Sequence, residues 1–499
     1  MERVAATDDD DNTGDDRIFV LERGTESIVR LVDSDGDGIP DTTEFVVYAP
    51  GLNHGLEVYD GCLYASSDTT VYRWPLYDDP SSDDDDDDEI NTPLRYPLSQ
   101  ESTQVLVVNI DADGNGGAPR GHTTRTLLVD TDNDDLYISV GSNQNVDADS
   151  YRSRIRRLDL SSMPCRTTSN TTTDTIDAVD FADLPVVVDG LRNTVGMAFD
   201  EDGILWGVEN SADNLMRDDL GGDIHNDNPA DELNRIDVAA ANTAGAPPKH
   251  YGYPYCWTEY SLPENVGTGR GSVWAWPSFL GDSVVLETGH DSAVAGSTAV
   301  ATTAETIYLT DTACSDPGVF VPPALALQAH SAPLGITFFH WEDHHHHNRD
   351  DDDRTNRRLC EGVSSFPQSM DGYAFLAYHG SWNRDVPTGY KVVVVPMDSG
   401  NNGGDDGDAS PGSPIDLLAH QPPDAKWQDG FRPVDVAFDT CGRLIVTSDG
   451  TRGRGSKIVR IEYRGAGETV VSAAAAFPGG GGAAILWYLS LWLLFWRTG

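Results

Sequence analysis

The chain has 499 residues and carries 82 Asp and Glu against 33 Lys and Arg, which gives a formal net charge of -49 at pH 7. So large an excess of negative charge repels phosphate groups, and we therefore expect no nucleic-acid partner. Hydrophobic residues make up 38% of the sequence, with 11 Trp, 18 Tyr and 14 Phe, which is enough to build a large core and argues against global disorder.

The two ends of the chain differ from the rest. An acidic segment at 1–16 opens the sequence without the basic and then apolar stretch of a signal peptide. At the other end, 466–499 form an Ala- and Gly-rich linker and a short hydrophobic tail, too short to cross a bilayer as a helix but similar to a membrane-anchoring signal. We expect an extracellular or cell-surface protein, which this tail could anchor to a membrane.

A repeated strand pattern fills 17–465, where helical periodicity is almost absent. A strand, a turn rich in Asp and Gly, a second strand and a later strand follow one another about six times. The six units lie at Arg17–Val32, Leu56–Trp74, Leu127–Leu158, Val195–Ile236, Ile336–Met397 and Val434–Tyr463. No unit can bury its apolar sheet face alone, so the repeat predicts an all-β fold, a six-bladed β-propeller. A β-sandwich is the structural alternative, but sandwiches usually lack such a repeat.

Polar or low-complexity insertions interrupt the repeats near 79–91, 166–176, 343–357 and 400–412, and we expect them to be surface loops. The third insertion contains His344–His347, which could bind a metal, although its acidic setting favours an accident of composition. The six cysteines are scattered without a CxxC pair, which is compatible with one to three disulfides and gives no zinc or iron-sulfur spacing.

An acidic motif follows the first unit. Asp33, Asp35, Asp37 and Asp41 are spaced by small residues, with Gly36 available for a sharp turn, which is how oxygen ligands wrap a calcium ion. The missing Glu at the twelfth loop position and the lack of flanking helices rule against an ordinary EF-hand. A structural calcium and a plain acidic hairpin both remain open.

Five longer segments carry a family resemblance. They are GLNHGLEV at 51–58, RGHTTRTLLVDTDNDDLYISVGSNQNV at 120–146, GLRNTVGMAFD at 190–200, the DELN-containing stretch at 205–236, and HGSWNRDVPTGYKVVVVP at 379–396. They resemble the sorbosone and pyranose dehydrogenase branch of the quinoprotein glucose dehydrogenase superfamily, and the resemblance spans roughly 17–463. It implies a sugar or sugar-aldehyde dehydrogenase that holds pyrroloquinoline quinone, together with a calcium ion (Ca2+), over the central opening of the propeller.

The resemblance also assigns roles to individual residues. His122 matches the family's base, which removes the substrate's hydroxyl proton as hydride moves to the quinone; an imidazole needs no large pKa shift to work near neutral pH. Arg192 and Asn193 match an Arg-Asn pair beside the cofactor, and Arg192 is grouped with His122 as catalytic. The quinone's three carboxylates require cations, which Arg supplies with a planar fork of donors. Further cofactor contacts are expected at His54, His379, Trp382, Arg384 and Arg432.

The calcium would be held by backbone carbonyls of the loop before the DELN strand, formed by Asn226, Asp227, Asn228 and Pro229. The segment that contains His379, Trp382 and Arg384 replaces the region of a cofactor-binding Lys in glucose dehydrogenases. This departure favours the sorbosone or pyranose branch and puts glucose itself in doubt.

Two other functions remain open at this point. A calcium-dependent propeller lactonase or hydrolase would activate water at a central calcium and has no need for Arg192 or Arg432 at the axis. A non-catalytic carbohydrate-binding propeller would tolerate loss of His122. For the redox enzyme the partners are a small sugar or aldehyde and an external electron acceptor, since no CxxCH haem motif is present. Four acidic residues could simply accept hydrogen bonds that cap turns: Glu209, Asp213, Asp231 and Glu232.

Overall fold

A computed structural model describes residues 2–7, 17–33, 40–76, 96–110, 121–148, 152–163, 165, 177–238, 248–287, 304–341, 365–398, 410–420, 422, 425–439, 441–451, 454–463, 469–474 and 489–491. Within these residues, six sheets of four or five strands surround one axis, and all but two of the pairings within them are antiparallel. The innermost strand of each sheet contacts those of its two neighbours, and the sixth contacts the first, so the ring is closed. The predicted six-bladed propeller is confirmed.

The blades are numbered along the chain, and their strands are given from the axis outward. Blade 1 contains Glu2–Thr7, Arg17–Glu22, Ser27–Val32 and Thr42–Tyr48. Blade 2 contains Leu52–Tyr59, Cys62–Ser67, Val71–Pro75, Gln104–Val108 and Val179–Asp180. Blade 3 contains Arg125–Asp130, Asp135–Val140, Arg154–Asp159, Val186–Asp189 and Lys249–His250.

The second half of the ring follows the same order. Blade 4 contains Thr194–Phe199, Leu205–Glu209, Asp231–Ile236 and Leu325–Leu327. Blade 5 contains Pro333–Phe338, Ala374–Tyr378, Lys391–Val395 and Ile415–Leu418. Blade 6 contains Pro433–Phe438, Leu444–Thr451, Arg454–Tyr463, Thr469–Ala474 and Leu489–Leu491.

Smaller elements lie in the connections. Four strand pairs are Met216–Arg217 with Gly222–Asp223, Cys256–Thr258 with Val273–Ala275, Ser283–Glu287 with Ala304–Tyr308, and Met397–Asp398 with Ser410–Pro411. The helical turns are Gln100–Ser102, Phe181–Asp183, Asp218–Leu220, Asp311–Cys314 and Gln368–Met370. The described residues include no apolar helix of the length that a membrane crossing requires.

The core lies in the seams between blades. Separate apolar clusters fill the seams, and the one that closes the ring packs Val20, Val29 and Leu31 of blade 1 against Ile445 and Ile458 of blade 6. Strands sandwiched between two seams are covered on both faces, so they read as continuous apolar runs rather than alternating ones. The second strand of blade 3, for example, is buried at all six positions of Asp135–Val140.

Repeated Asp residues form the hairpin turns between the first two strands of blades 3, 4 and 6. Asp130, Asp200 and Asp439 each accept two backbone N–H groups of the following turn through one carboxylate oxygen. Asp is favoured in such turns because its short side chain bonds to the backbone two residues on. These turns explain the Asp- and Gly-rich punctuation of the sequence repeat.

The inner strands of blades 2 to 6 begin at one end of the ring, as their closest contacts show: Gly55 faces Arg125 to Leu127, Gly196 faces Leu334 and Gly335, and Gly335 faces Val434 and Asp435. We call this end the axial mouth; the segments at 121–124, 190–193, 329–332 and 430–432 enter the strands there. The opposite end of the ring is the far face. The turns at 200–203 and 371–373, the strand end at 339–341, and residues 439 and 441–443 lie there.

Several predictions lie at the edge of the described residues or beyond it. Strand Glu2–Thr7, within the acidic segment at 1–16 that sequence analysis left outside the propeller, pairs with Arg17–Glu22. Asp33 and Asp41 are described, but Asp35 and Asp37 lie outside the described residues, and so do His344–His347. The two possible metal sites therefore stay predictions. Disulfides join Cys62 to Cys165 and Cys256 to Cys314, and Cys441 is also disulfide-bonded.

Candidate active site at the axial mouth

His122 lies at the axial mouth, just before the innermost strand of blade 3, and is half-buried. Its backbone N–H and its ring Nδ1 both bond to the carbonyl oxygen of Ser142, at 3.1 and 3.0 Å. A carbonyl can only accept, so Nδ1 carries the proton and Nε2 presents its lone pair. Within the described part of the chain, Nε2 has no hydrogen-bond partner. His122 is therefore held in the tautomer that can accept a proton.

Burial and nearby guanidinium groups lower the pKa of His122 to about 3; Arg192 is the strongest of these charges, followed by Arg152 and Arg125. Both Arg152 and Arg125 donate to the backbone carbonyl of His122, at 2.7 and 3.0 Å. The sequence-based expectation that the pKa of His122 needs no large shift is wrong for the protein without a ligand. The sequence did not indicate that two buried arginines lie under this loop. His122 is neutral at any ordinary pH.

Arg192 is almost fully buried, and its guanidinium is held by backbone and amide oxygens. Its Nε and one terminal nitrogen donate to the backbone and side-chain oxygens of Asn145, both at 3.0 Å. The other terminal nitrogen donates to the carbonyls of Asn210 and Ser211, and Asp213 lies 3.7 Å away. The charge is thus fixed in direction by neutral acceptors and only weakly neutralised by a carboxylate.

Asn193 and His122 meet over Gly141. A Cβ added at Gly141 would lie 2.4 Å from Asn193 Oδ1 and 2.9 Å from the His122 Cβ, so only glycine fits there. Ser142, the next residue, donates its backbone N–H to the carbonyl of Arg192 at 2.7 Å. The structure therefore brings three of the predicted site residues, His122, Arg192 and Asn193, together around the strand end at 140–142.

His54 lies in the innermost strand of blade 2 and is 1% exposed. Its Nε2 donates to the carbonyl of Val195 in blade 4 at 3.2 Å, and Thr126 of blade 3 donates to the same oxygen at 2.6 Å. His54 thus connects three blades at the axis.

The predicted calcium loop is tied to the loop at 384–385. Arg384 pairs with the Asp227 carboxylate at 3.0 Å, and the Asn226 amide exchanges bonds of 3.0 and 2.9 Å with Asp385. Below the loop, His330 Nε2 donates to the carbonyls of His225 and Asn228, at 2.7 and 3.2 Å. Among the described residues, the carbonyls of Asn226, Asp227 and Pro229 accept no hydrogen bond, so they are available to a cation.

The remaining predicted cofactor contacts lie on blades 5 and 6. His379 is paired through Nε2 with Asp449 at 2.7 Å; burial lowers its pKa, and the Asp449 charge opposes that shift. Arg432 donates to the carbonyls of His379 and Gly380, both at 3.1 Å, and lies over the Tyr390 ring. Trp382 is 91% exposed, so the structure does not bring its indole into the group.

Two buried glutamates line a cavity beside Arg192, with Trp257 and Trp276 on its wall. One oxygen of Glu209 accepts the backbone N–H of Arg192 at 2.8 Å, while its other oxygen is buried without a partner among the described residues. Burial and then the charge of Glu232 raise the pKa of Glu209 well above its usual range, and burial raises the pKa of Glu232 to about 7. Glu209 thus accepts a backbone hydrogen bond from the chain that enters blade 4.

The buried Glu209 makes the apoprotein's stability depend on pH. Because its pKa is raised in the folded state, the protonated form stabilises the fold at low pH, and this contribution is lost as pH rises through the folded pKa. We expect Glu209→Gln to melt at a higher temperature than the wild type at pH 9, with a smaller difference at pH 5. Thermal melts at both pH values measure this, with the exposed Glu264→Gln as control. An equal difference at both pH values would contradict it.

Sequence reasoning missed the residues that hold the site in place. Ser142 joins the chain at His122 to that at Arg192, Asn145 binds the guanidinium of Arg192, and Arg152 is fully buried beneath the loop. Ser142 and Asn145 do follow the apolar strand Asp135–Val140 at its mouth end. A polar run at that end is the signal that could have identified them.

These features define a class: a closed six-bladed propeller whose axial mouth carries a neutral histidine with a free nitrogen, fixed arginines and open carbonyls. The chain belongs to the TrAA12-like family, whose model matches residues 9–455. The resemblance found in the sequence, and with it the prediction of a quinoprotein sugar dehydrogenase, are confirmed.

Among characterised relatives, a pyrroloquinoline quinone-dependent sugar dehydrogenase of Hypocrea jecorina is 28% identical over 462 residues, which cover 88% of this chain and 82% of that protein. A pyrroloquinoline quinone-dependent pyranose dehydrogenase of Coprinopsis cinerea is 26% identical over 460 residues. These residues cover 87% of this chain but only 50% of that longer protein.

Solved structures agree with this assignment. A calcium structure of a Trichoderma reesei enzyme of carbohydrate-active family AA12 has a TM-score of 0.61 and 27% identity, and the match covers 92% of each chain. The holo form of the Coprinopsis cinerea pyranose dehydrogenase domain has the same TM-score of 0.61 at 24% identity over 93% of each chain, and shows the shared fold. The names and titles of these relatives carry both cofactors that the sequence predicted.

Proposed function

We propose that this protein oxidises a sugar or a sugar-derived aldehyde at the axial mouth, with pyrroloquinoline quinone and calcium bound there and His122 as the general base. The observation that carries the proposal is the free Nε2 of His122 beside the fixed charge of Arg192. Family membership and the names of the relatives support the class of reaction. The sugar itself stays open, since the loops that would shape its pocket include residues beyond the described ranges.

The residues at the mouth fit a tricarboxylate. Arg192 is held at one side by neutral oxygens, and Arg432 at another by the carbonyls of His379 and Gly380. Among the described residues, Arg192 has only Asp213 at 3.7 Å and Arg432 has no ion pair, so both keep positive charge for an anion in an otherwise strongly acidic protein. A lactonase has no need for these two cations, which favours the redox enzyme. Asn193 and His379 would add polar contacts.

The loop before the DELN strand fits calcium, which prefers carbonyl and carboxylate oxygens. The open carbonyls of Asn226 and Asp227 are the better ligands, because His330 already occupies the carbonyl of Asn228. When bound, pyrroloquinoline quinone supplies the two-electron acceptor for hydride, and calcium polarises it.

His122 would take the proton of the substrate hydroxyl at Nε2, while Nδ1–H stays on the Ser142 carbonyl and fixes the ring. A base with a pKa of about 3 is weak. Burial is the first cause of that low pKa and the Arg192 charge is the second, and an anionic ligand beside Arg192 would offset the second cause. Arg192 would thus be both the cation that binds the cofactor and a cation that lowers the pKa of His122. We infer that an anion at the mouth removes the contribution of Arg192 to the low pKa of His122 and leaves the contribution of burial.

The proposal is tested by reconstitution. Purified protein is incubated with pyrroloquinoline quinone and calcium, and reduction of an artificial dye is followed with a panel of sugars, sugar aldehydes and lactones. We expect dye reduction that requires both additions and at least one sugar or aldehyde. Hydrolysis of a lactone without dye reduction would favour the hydrolase instead, and binding of sugar without either reaction would favour the non-catalytic propeller.

We also propose an extracellular location. The bonds Cys62–Cys165 and Cys256–Cys314 support it, because structural disulfides persist in oxidising compartments. Anchoring by the C-terminal tail stays a prediction, since most of 466–499 lies outside the described residues.

A further inference from the structure

A second group of metal-binding side chains lies at the far face. It consists of Glu201, in the hairpin turn of blade 4, and of His340 and Asp371, at the far end of blade 5. Each residue offers one ligand atom, and the three atoms lie within 4.8 Å of one another. The innermost strand Thr194–Phe199 separates Glu201 from Arg192. Six residues at about 3.3 Å each put the group about 20 Å from the axial mouth. It is therefore separate from the proposed active site.

The three side chains have unused ligand capacity. Among the described residues, the Glu201 carboxylate and the His340 imidazole have no hydrogen-bond partner. Asp371 uses one oxygen, Oδ1, to accept the backbone N–H of Trp341 at 2.8 Å, which orients the carboxylate and leaves Oδ2 open. Burial and then the charge of Asp371 raise the pKa of Glu201, so a cation between the two carboxylates would relieve their repulsion.

We propose that Glu201, His340 and Asp371 bind a divalent transition-metal ion, for which zinc is the test ion, and that the ion links blades 4 and 5 at the far face. One nitrogen and two oxygen ligands suit zinc better than calcium, which takes six or more oxygens. Zinc at about 2.0–2.1 Å from its ligands places neighbouring ligand atoms roughly 3.3 Å apart. Rotation of the two exposed side chains, Glu201 and Asp371, covers the difference from the observed spacing.

The site would hold both ends of one insertion. The described chain stops at Trp341 and resumes at Ser365, and hydrogen bonds of 3.0 and 2.8 Å between Phe339 and the chain at 372–373 join the two sides. A metal shared by His340, Asp371 and the Glu201 turn would fix this junction to the neighbouring blade. Metal clips at the ends of long loops stabilise the folded state because they limit the unfolded chain.

Zinc titration of the full chain by calorimetry, in saturating calcium, tests the proposal. His344–His347 are first replaced by Ser, so that the adjoining histidine run cannot bind the ion. We expect this background protein to bind one zinc, His340→Ala in the same background to bind it at least about tenfold more weakly, and Glu201→Gln to behave alike. Melting temperature should rise with zinc in the background protein and not in the two variants.

Either of two results would overturn the proposal. One is a background protein that binds no zinc although the unmodified chain does, which would assign binding to the histidine run. The other is zinc affinity that survives both His340→Ala and Glu201→Gln. Asp371→Asn keeps an oxygen that can accept the backbone N–H of Trp341 but loses the carboxylate charge. It therefore separates loss of the metal ligand from loss of the turn at Asp371.

Discussion

His122→Ala is expected to lower kcat of the reconstituted enzyme by a factor of about 10² to 10⁴, the usual contribution of a positioned general base. Among the described residues, the side chain bonds only to Ser142, through Nδ1, which leaves Nε2 as the proton acceptor, and its low pKa keeps the ring neutral. Removing it therefore takes away the proton acceptor without exposing a buried charge. Initial rates of dye reduction at saturating sugar measure kcat, and quinone titration measures cofactor affinity separately.

His340→Ala is the matched control, because this imidazole lies at the far face, about 20 Å from the mouth. We expect its kcat to equal that of the wild type. If His122→Ala retained kcat within threefold while still binding the quinone, another group would have to take the proton, and the assignment of His122 would be wrong.

The blade count could be predicted because it depends on local chemistry that repeats. Each Asp in a turn, such as Asp130 or Asp200, caps its own hairpin, and each apolar run is buried from both sides by neighbouring blades. Such features are visible within about ten residues of sequence. Strand Glu2–Thr7 was missed because its short run lies beside an Asp-rich stretch that indicates a solvated segment.

Candidate site residues could be named from the sequence, but their interactions could not. The family motifs point to His122, Arg192 and Asn193, and the structure places these three together. Nothing in the sequence indicates that Arg384 pairs with Asp227, more than 150 residues away. Such contacts depend on how loops of different blades meet over the mouth.

The pKa of His122 shows the same limit in physical terms. The residue type and its place before a strand were readable, but its electrostatic environment is set by Arg152 and Arg125, whose side chains turn inward beneath the loop. A single sequence does not distinguish an arginine that faces solvent from one that is fully buried. The direction of a pKa shift depends on that distinction.

Arg192→Ala is expected to weaken quinone binding by about two orders of magnitude, which corresponds to about 3 kcal/mol. The guanidinium is buried and fixed by Asn145, Asn210 and Ser211, so its charge is already oriented when an anionic ligand arrives. Arg192→Lys keeps the charge but loses the planar fork, and should recover only part of the affinity. Fluorescence titration with pyrroloquinoline quinone in saturating calcium measures the quinone affinity of the wild type, Arg192→Ala and Arg192→Lys.

Loss of a buried arginine also destabilises a protein, so the control variant must lose a buried arginine as well. Arg443 is equally buried and paired with Asp439, but it lies at the far face of blade 6. Arg443→Ala should lower the melting temperature and leave quinone affinity within a few-fold of the wild type. If it weakened the quinone as much as Arg192→Ala does, loss of stability would explain both results. If instead Arg192→Ala bound the quinone as tightly as the wild type, the mouth would not be the cofactor site, and the charge at Arg192 would serve only to hold the loops at 145 and 210–211.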